Sequence, residues 1–175
     1  MPTSPDTSQK PLVFTGELHP VGEPGSFVGR SRPSFAGQHP AVLDGKKRLT
    51  IPSRWRPDGK LDELYLIKSP ARRCINAMPK EILQAMGAKA ETLAGDPERH
   101  QNFKDFLFAN AVICPVDSQG RMVLPDDFCR FAGLEKDVLL TGGDEKFDIW
   151  NPEAWQERER SIAPEGSTML KRLGL

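Results

Sequence analysis

Two Asp-x-x-x-Arg pairs hold the residues of this chain best placed to do chemistry: Asp44 with Arg48, and Asp117 with Arg121. A carboxylate and a guanidinium at that spacing can close a tight loop through a charge-assisted contact. The same arginine, helped by lysine neighbours, can instead project from the loop toward phosphates and base edges. Local charge separates the two pairs. From Asp44 to Lys60 the chain carries Lys46, Lys47, Arg48, Arg54, Arg56 and Lys60 against Asp44 and Asp58, a local excess of four positive charges. The matching window from Asp117 carries Arg121 and Arg130 against Asp117, Asp126 and Asp127. The sequence therefore assigns nucleic-acid contact to the first loop, through Lys46, Lys47 and Arg48, with Arg54 and Arg56 as phosphate anchors and Asp44 shaping the turn. The second loop, with Asp117 and Arg121, is expected to be mainly structural.

Other chemistries find little support. His19, His39 and His100 do not pair with a cysteine or with each other at metal-ligand spacing, so they read as surface histidines and no metal site is expected. Cys74, Cys114 and Cys129 are an odd number at unrelated spacings, which fits buried small hydrophobes in a reducing cytosol rather than a disulfide framework or redox pair. No phosphate loop, nucleophile elbow or kinase signature is present. Neither a catalytic residue, a cofactor nor a small-molecule substrate is expected. Lys plus Arg equals Asp plus Glu at 24 each, so only the local distribution of charge speaks of a partner. No apolar run approaches membrane-spanning length and the N-terminus lacks the apolar core of a signal peptide, so no membrane association is expected.

The elements that must carry these loops are doubled. Leu43 to Met78 realigns without a gap on Val116 to Asn151 when shifted by 73 residues, setting Arg48 on Arg121, Leu66 on Leu139 and Pro52 on Pro125. Each copy reads as a short strand, a polar turn with Gly, and a second short strand ended by Pro. In the second copy Asp126 to Gly133 opens on carboxylates and closes on Gly, as a two-turn helix does; in the first, Pro57 and Gly59 cut the equivalent helix short. Leu64 to Lys68 and Val138 to Thr141 read as buried strands. Lys146 to Trp150 alternates apolar with polar after a turn at Gly142 to Glu145. Met78-Pro79 and Asn151-Pro152 start helices, the latter with an Asn cap.

Asp96-Pro97-Glu98 opens a linker helix through Phe103, Phe106, Leu107 and Ala111, expected to lay one apolar face on the paired β units. Its phenylalanines, with Phe108, exceed what one small core can cover and point to a homo-oligomer. The organisation follows: residues 1–34 a disordered N-terminal extension, 35–82 a first unit, 83–111 a helical linker, 112–160 a second unit and 161–175 a flexible C-terminal tail.

Phe35-x-Gly37 followed by Val42-Leu43-Asp44-x-Lys46-x-Arg48-Leu49-x-Ile51-Pro52 resembles the opening of the bacterial MraZ family. Asp117-x-x-Gly120-Arg121-x-x-Leu124-Pro125, the run Ala132 to Val138 and Phe147 to Trp150 resemble its second half, and Phe103-x-x-Phe106-x-Phe108-Ala109-x-Ala111 is similar to its linker helix. The resemblance spans roughly Phe35 to Trp155. It implies an α+β, β-rich fold of two tandem AbrB-like (SpoVT-AbrB) swapped-hairpin units forming a small β-barrel core with packed helices. It also implies a cytoplasmic, nucleoid-associated regulator, typically a repressor, of the division and cell-wall gene cluster that includes its own promoter. The implied assembly is a ring-shaped homo-oligomer on double-stranded DNA with tandem repeats. An antitoxin-like interaction protein of the AbrB fold is the alternative. The family usually carries Gly directly before the first Arg and His three residues before the first Asp. Here Lys47 and Ala41 stand in those places, with a Gly at Gly45, so the resemblance implies a differently shaped and more positive first turn.

Overall fold

The structure is a computed structural model that describes residues 34–56 and 61–175. The expected disordered extension therefore lies, except for Ser34, outside the described residues, as do His19, Asp58 and Lys60. The body, residues 31–175, is described by itself.

Among the described residues eight strands and four helices follow one another: β1 (Gln38–Val42), β2 (Arg48–Thr50), a single 3-10 turn at Ser53–Trp55, β3 (Glu63–Ser69), β4 (Cys74–Met78), α1 (Lys80–Ala94), α2 (Pro97–Ala109), β5 (Val112–Pro115), β6 (Arg121–Val123), α3 (Asp126–Ala132), β7 (Asp137–Gly142), β8 (Phe147–Trp150) and α4 (Pro152–Arg172). Six strands form one sheet in the order β1-β7-β8-β4-β3-β5, and β2 pairs with β6 as a separate ribbon. All these pairings are antiparallel. The expected barrel is not formed: the sheet is open, with β1 and β5 at its edges. Both edge strands carry a proline, Pro40 and Pro115, a residue that cannot complete a hydrogen-bonded ladder on both sides. Each edge strand leads through a turn into the ribbon instead of reaching the other edge.

Strands are exchanged along the chain. β1 pairs with β7, and β5 with β3, so each edge strand lies on a hairpin from the other part of the sequence. In the ribbon Leu49 faces Met122, 73 residues away, and in the centre of the sheet Asn76 faces Asp148, 72 residues away. A constant 73-residue offset does not survive the whole sheet. Leu64 and Leu66 are buried on β3, and on β7 the buried apolar residues are Val138 and Leu140, while Leu139 is only half-buried. Thirteen residues connect β6 to β7 and twelve connect β2 to β3, and one extra residue moves a strand's side chains to the opposite face.

The core lies between sheet and ribbon. Leu49, Ile51, Met122, Leu124, Leu64, Leu66, Ile75, Phe128, Leu140 and Ile149 are all nearly inaccessible. Trp55 is its largest member, edge-on to Phe35 with centroids 5.6 Å apart and tilted onto Phe147 at 5.1 Å, with its indole Nε1 donating to the Ala36 carbonyl at 3.1 Å. Phe35 is fixed by two backbone hydrogen bonds to Asp144, and that crossing runs so close to Gly142 that a Cβ there would sit 2.3 Å from the Phe35 carbonyl oxygen. His39, expected as a surface residue, is half-buried with its ring edge-on to Trp55 at 4.7 Å. All three cysteines are free and buried. Burial pushes the thiols of Cys74 and Cys114 up to about 11, and that of Cys129 upward too.

Other expectations change with context. β8 is buried at all four positions instead of alternating, because as an interior strand it is covered on both faces. The linker helix does not lay its phenylalanines on the sheet. α2 packs antiparallel against α1, turning at Gly95 and capped by Asp96, and it buries Leu107 with Met78 and Leu83 in a second small cluster. Phe103, Phe106 and Phe108 remain exposed. Most of the region expected as a flexible tail, residues 161–175, is helical: α4 runs through Pro164 to Arg172, and no residue of it is buried.

Candidate nucleic-acid interface

The ribbon positions both Asp-x-x-x-Arg pairs. Each turn precedes one of its two strands, and because the strands are antiparallel the turns sit at opposite ends. In the first, Asp44 Oδ1 accepts the backbone N–H of Lys46 at 2.8 Å and of Arg48 at 2.9 Å, and Oδ2 accepts Arg48 Nε at 2.5 Å. In the second, Asp117 Oδ1 accepts the N–H of Gln119 and of Arg121, both at 2.9 Å, and Oδ2 accepts Arg121 Nε at 2.8 Å. The aspartate thus organises the turn and orients the arginine in one gesture. These bonds favour the ionised carboxylate, above all those from Arg48, and bring Asp44 down to about 2; Arg121 lowers Asp117 in the same way.

The alternation of a strand does the rest. Leu49 and Met122 point into the core, while Arg48, Thr50, Arg121 and Val123 lie on the opposite, outer face. Arg48 stands across from Val123 and Thr50 across from Arg121. Cross-strand backbone bonds lock each end: Leu124 N–H donates to the Lys47 carbonyl at 3.0 Å, and Ile51 N–H to that of Gly120 at 2.8 Å. The result is a two-stranded ribbon whose outer face carries one guanidinium toward each end, each about a third exposed.

The two turns therefore have the same geometry, where the sequence set them apart. Arg48 closes its turn as Arg121 does, so the distinction between a reading arginine and a structural one has no counterpart in their contacts. The remaining difference is charge: Lys46 is exposed on the first turn and Lys47 is half-buried there, with Gln119 and Gly120 as the neutral counterparts in the second. Lys47, at the usual place of a Gly, adopts φ +57°, and Gly120 adopts φ +77°. The left-handed conformation is retained without the glycine, at some steric cost.

The other two arginines separate. Arg54 is exposed on the 3-10 turn. Arg56 is half-buried and leaves the first turn altogether, its guanidinium lying against Gly120 of the second. Thr50 and Val123 on the outer face were not singled out from sequence; their period-two spacing from Arg48 and Arg121 was the available signal.

The family model described as "MraZ protein, putative antitoxin-like" matches residues 107–172. The chain is 32% identical over 122 residues to a protein named Transcriptional regulator MraZ from Leuconostoc citreum (strain KM20), covering 70% of this chain and 84% of the relative. It is 31% identical over 140 residues to the protein of the same name from Thermomicrobium roseum, covering 79% and 96%. With that from Lachnoclostridium phytofermentans it shares 29% identity over 141 residues, covering 81% and 98%.

Proposed function

The chain belongs to the MraZ family, and on that premise we propose that it is a DNA-binding transcriptional regulator that presents the β2–β6 ribbon to double-stranded DNA. The observation that carries this reading is the ribbon's outer face, where Arg48 and Arg121 are held by Asp44 and Asp117 above a buried Leu49–Met122 pair. The major groove admits a two-stranded ribbon, and arginine is the side chain best suited to guanine edges and phosphates. Lys46, Lys47 and Arg54 add sequence-independent attraction to the backbone. No catalysis is assigned to this surface.

The finer reading is that of two AbrB-like swapped-hairpin units within one chain, supported by the reciprocal pairing of β1 with β7 and β5 with β3. The protein acts in the cytoplasm, at the nucleoid, as a repressor of the division and cell-wall cluster that includes its own promoter. It binds tandem repeats as a ring-shaped homo-oligomer, and the exposed Phe103, Phe106 and Phe108 are surfaces that assembly would cover.

Footprinting the purified protein on DNA upstream of its own reading frame tests this. Protection recurring at regular spacing is expected, with light scattering giving a multimer at micromolar concentration. Absence of protection where nonspecific DNA competes equally well would remove the regulator reading.

A further inference from the structure

We infer that the Asp117–Arg121 turn has an anion-contact site of its own, supplied from the other part of the chain by Arg56, with a phosphodiester oxygen of the DNA backbone as its ligand. This rests on the reading of the ribbon as a DNA-binding element, and it replaces the division into one DNA-facing turn and one structural turn.

The first observation is steric. A Cβ at Gly120 would lie 2.4 Å from the Arg56 Cζ, 2.5 Å from Nε and 2.7 Å from one terminal nitrogen, so the guanidinium occupies the space a side chain would take. Glycine at 120 is therefore required twice, by φ +77° and by Arg56.

The second is electrostatic. Arg48, Arg72 and Arg121 each pair with an aspartate. Among the described residues no carboxylate pairs with Arg56, and its Nε is buried without a hydrogen-bond partner. Packing against the turn fixes the plane of the guanidinium, and no described carboxylate offsets its charge, which suits a group that takes up an anion through its terminal nitrogens.

The third is a reciprocal exchange between the two ends of the ribbon. The residue 73 positions before Gly120 is Lys47, and the residue 73 positions after Arg56 is Cys129. Lys47 and Cys129 line the same shallow depression, as Gly120 and Arg56 touch at the other end. Where the turn carries a lysine, the facing residue is small; where the turn is a glycine, the facing residue is an arginine. Each end thus gains a cation beside its turn, from the turn itself at one end and from the segment after the 3-10 turn at the other.

The test uses the full-length protein and a duplex from upstream of its reading frame, with affinity measured by fluorescence anisotropy as salt is varied. Arg56→Met keeps the stem and removes the charge, while Arg56→Lys keeps the charge. Loss of one phosphate contact lowers the salt slope by about 0.9, so the Met deficit shrinks about threefold between 50 and 200 mM salt. The Lys variant is expected to hold the wild-type slope. A Met variant with wild-type slope and affinity overturns this inference alone, whereas a wild-type protein that does not bind the duplex overturns the ribbon reading and this inference with it. If Arg56→Met does not fold, phenylglyoxal modification of the wild-type protein, read by peptide mass, decides: protection of Arg56 by DNA supports the site, and equal modification with and without DNA overturns it.

Discussion

Asn76 and Asp148 face each other across the two central strands of the sheet, and the aspartate accepts both the Asn76 amide and, at 2.6 Å, the Arg72 guanidinium. Arg72 also lies over the Trp150 ring, whose indole N–H donates to Thr141 at 3.1 Å. A polar cluster thus sits where β4 meets β8, between strands that are otherwise apolar on both faces. Buried polar groups are tolerable there because each has a partner.

Asp148→Ala leaves the Asn76 amide and the Arg72 guanidinium without their acceptor. The expected loss is about 1.5–3 kcal/mol, at the scale of hydrogen bonds to a charged group that remains partly solvated. Equilibrium urea unfolding measures it, and Asp148→Asn, which keeps an acceptor, should lose less.

Trp55→Ala empties the largest side-chain volume of the cluster between sheet and ribbon and removes the ring on which Phe35, Phe147 and His39 converge. A loss of about 3–5 kcal/mol is expected. Because Phe35 joins Trp55 to the Gly142 crossing, near-UV circular dichroism should fall with the melting temperature.

Arg48→Ala should weaken binding to the upstream DNA by about 1–3 kcal/mol where it removes a base-edge contact. Arg121→Ala should now do the same, since the two arginines share one face and one turn geometry. Lys46→Ala and Lys47→Ala should each reduce the salt slope by about one. Anisotropy titrations check all four, and a loss confined to Arg48 would restore the division drawn from charge alone.

The folded pKa values of Asp44, Asp117 and Asp127 lie below their ordinary value, lowered chiefly by hydrogen bonds from Arg48, Arg121 and Lys68 respectively. A depressed carboxylate contributes stability that is fully present above the unfolded pKa and is lost as pH falls through the folded one. For Asp44 that window runs from about 3.8 down to about 2. Melting temperature should therefore fall through this range, and Asp44→Asn should lower it at neutral pH while flattening its acid dependence.

The buried thiols should be inert. With Cys74 and Cys114 held near 11 and Cys129 also raised, the native protein should react negligibly with a thiol reagent at pH 8 and release all three cysteines on denaturation. Rapid native labelling of Cys129, beside the depression at Lys47, would show that α3 opens.

What was legible in the sequence was local. Asp44 and Arg48 are four residues apart, so their types and spacing carried the turn. Asp126 and Gly133 marked α3 because end effects act within a turn of the helix. Phase was harder: one added residue between β6 and β7 exchanged Leu139 for Leu140 at the buried position, and an ungapped alignment cannot register it. Context reversed two readings. Phe106 belongs to an apolar stripe that finds no sheet beneath it, and the segment from Ser161 to Arg172 continues a helix through a proline. The meeting of Arg56 with Gly120 had no signal, since neither residue's type implies a partner 64 positions away. That contact exists only because β2 and β6 are paired.

The exchange of edge strands also settles how the molecule would come apart. Residues 34–82 and 112–160 are joined in sequence only through the α1–α2 hairpin, which turns at Gly95, an exposed residue. In the sheet, by contrast, each holds a strand of the other, β1 on β7 and β5 on β3, with the ribbon clasped across them. Severing the peptide bond at Gly95 would leave two pieces interlocked like folded hands, and they could part only by peeling strands from the sheet. The covalent link makes the partnership intramolecular; the interlocking holds it.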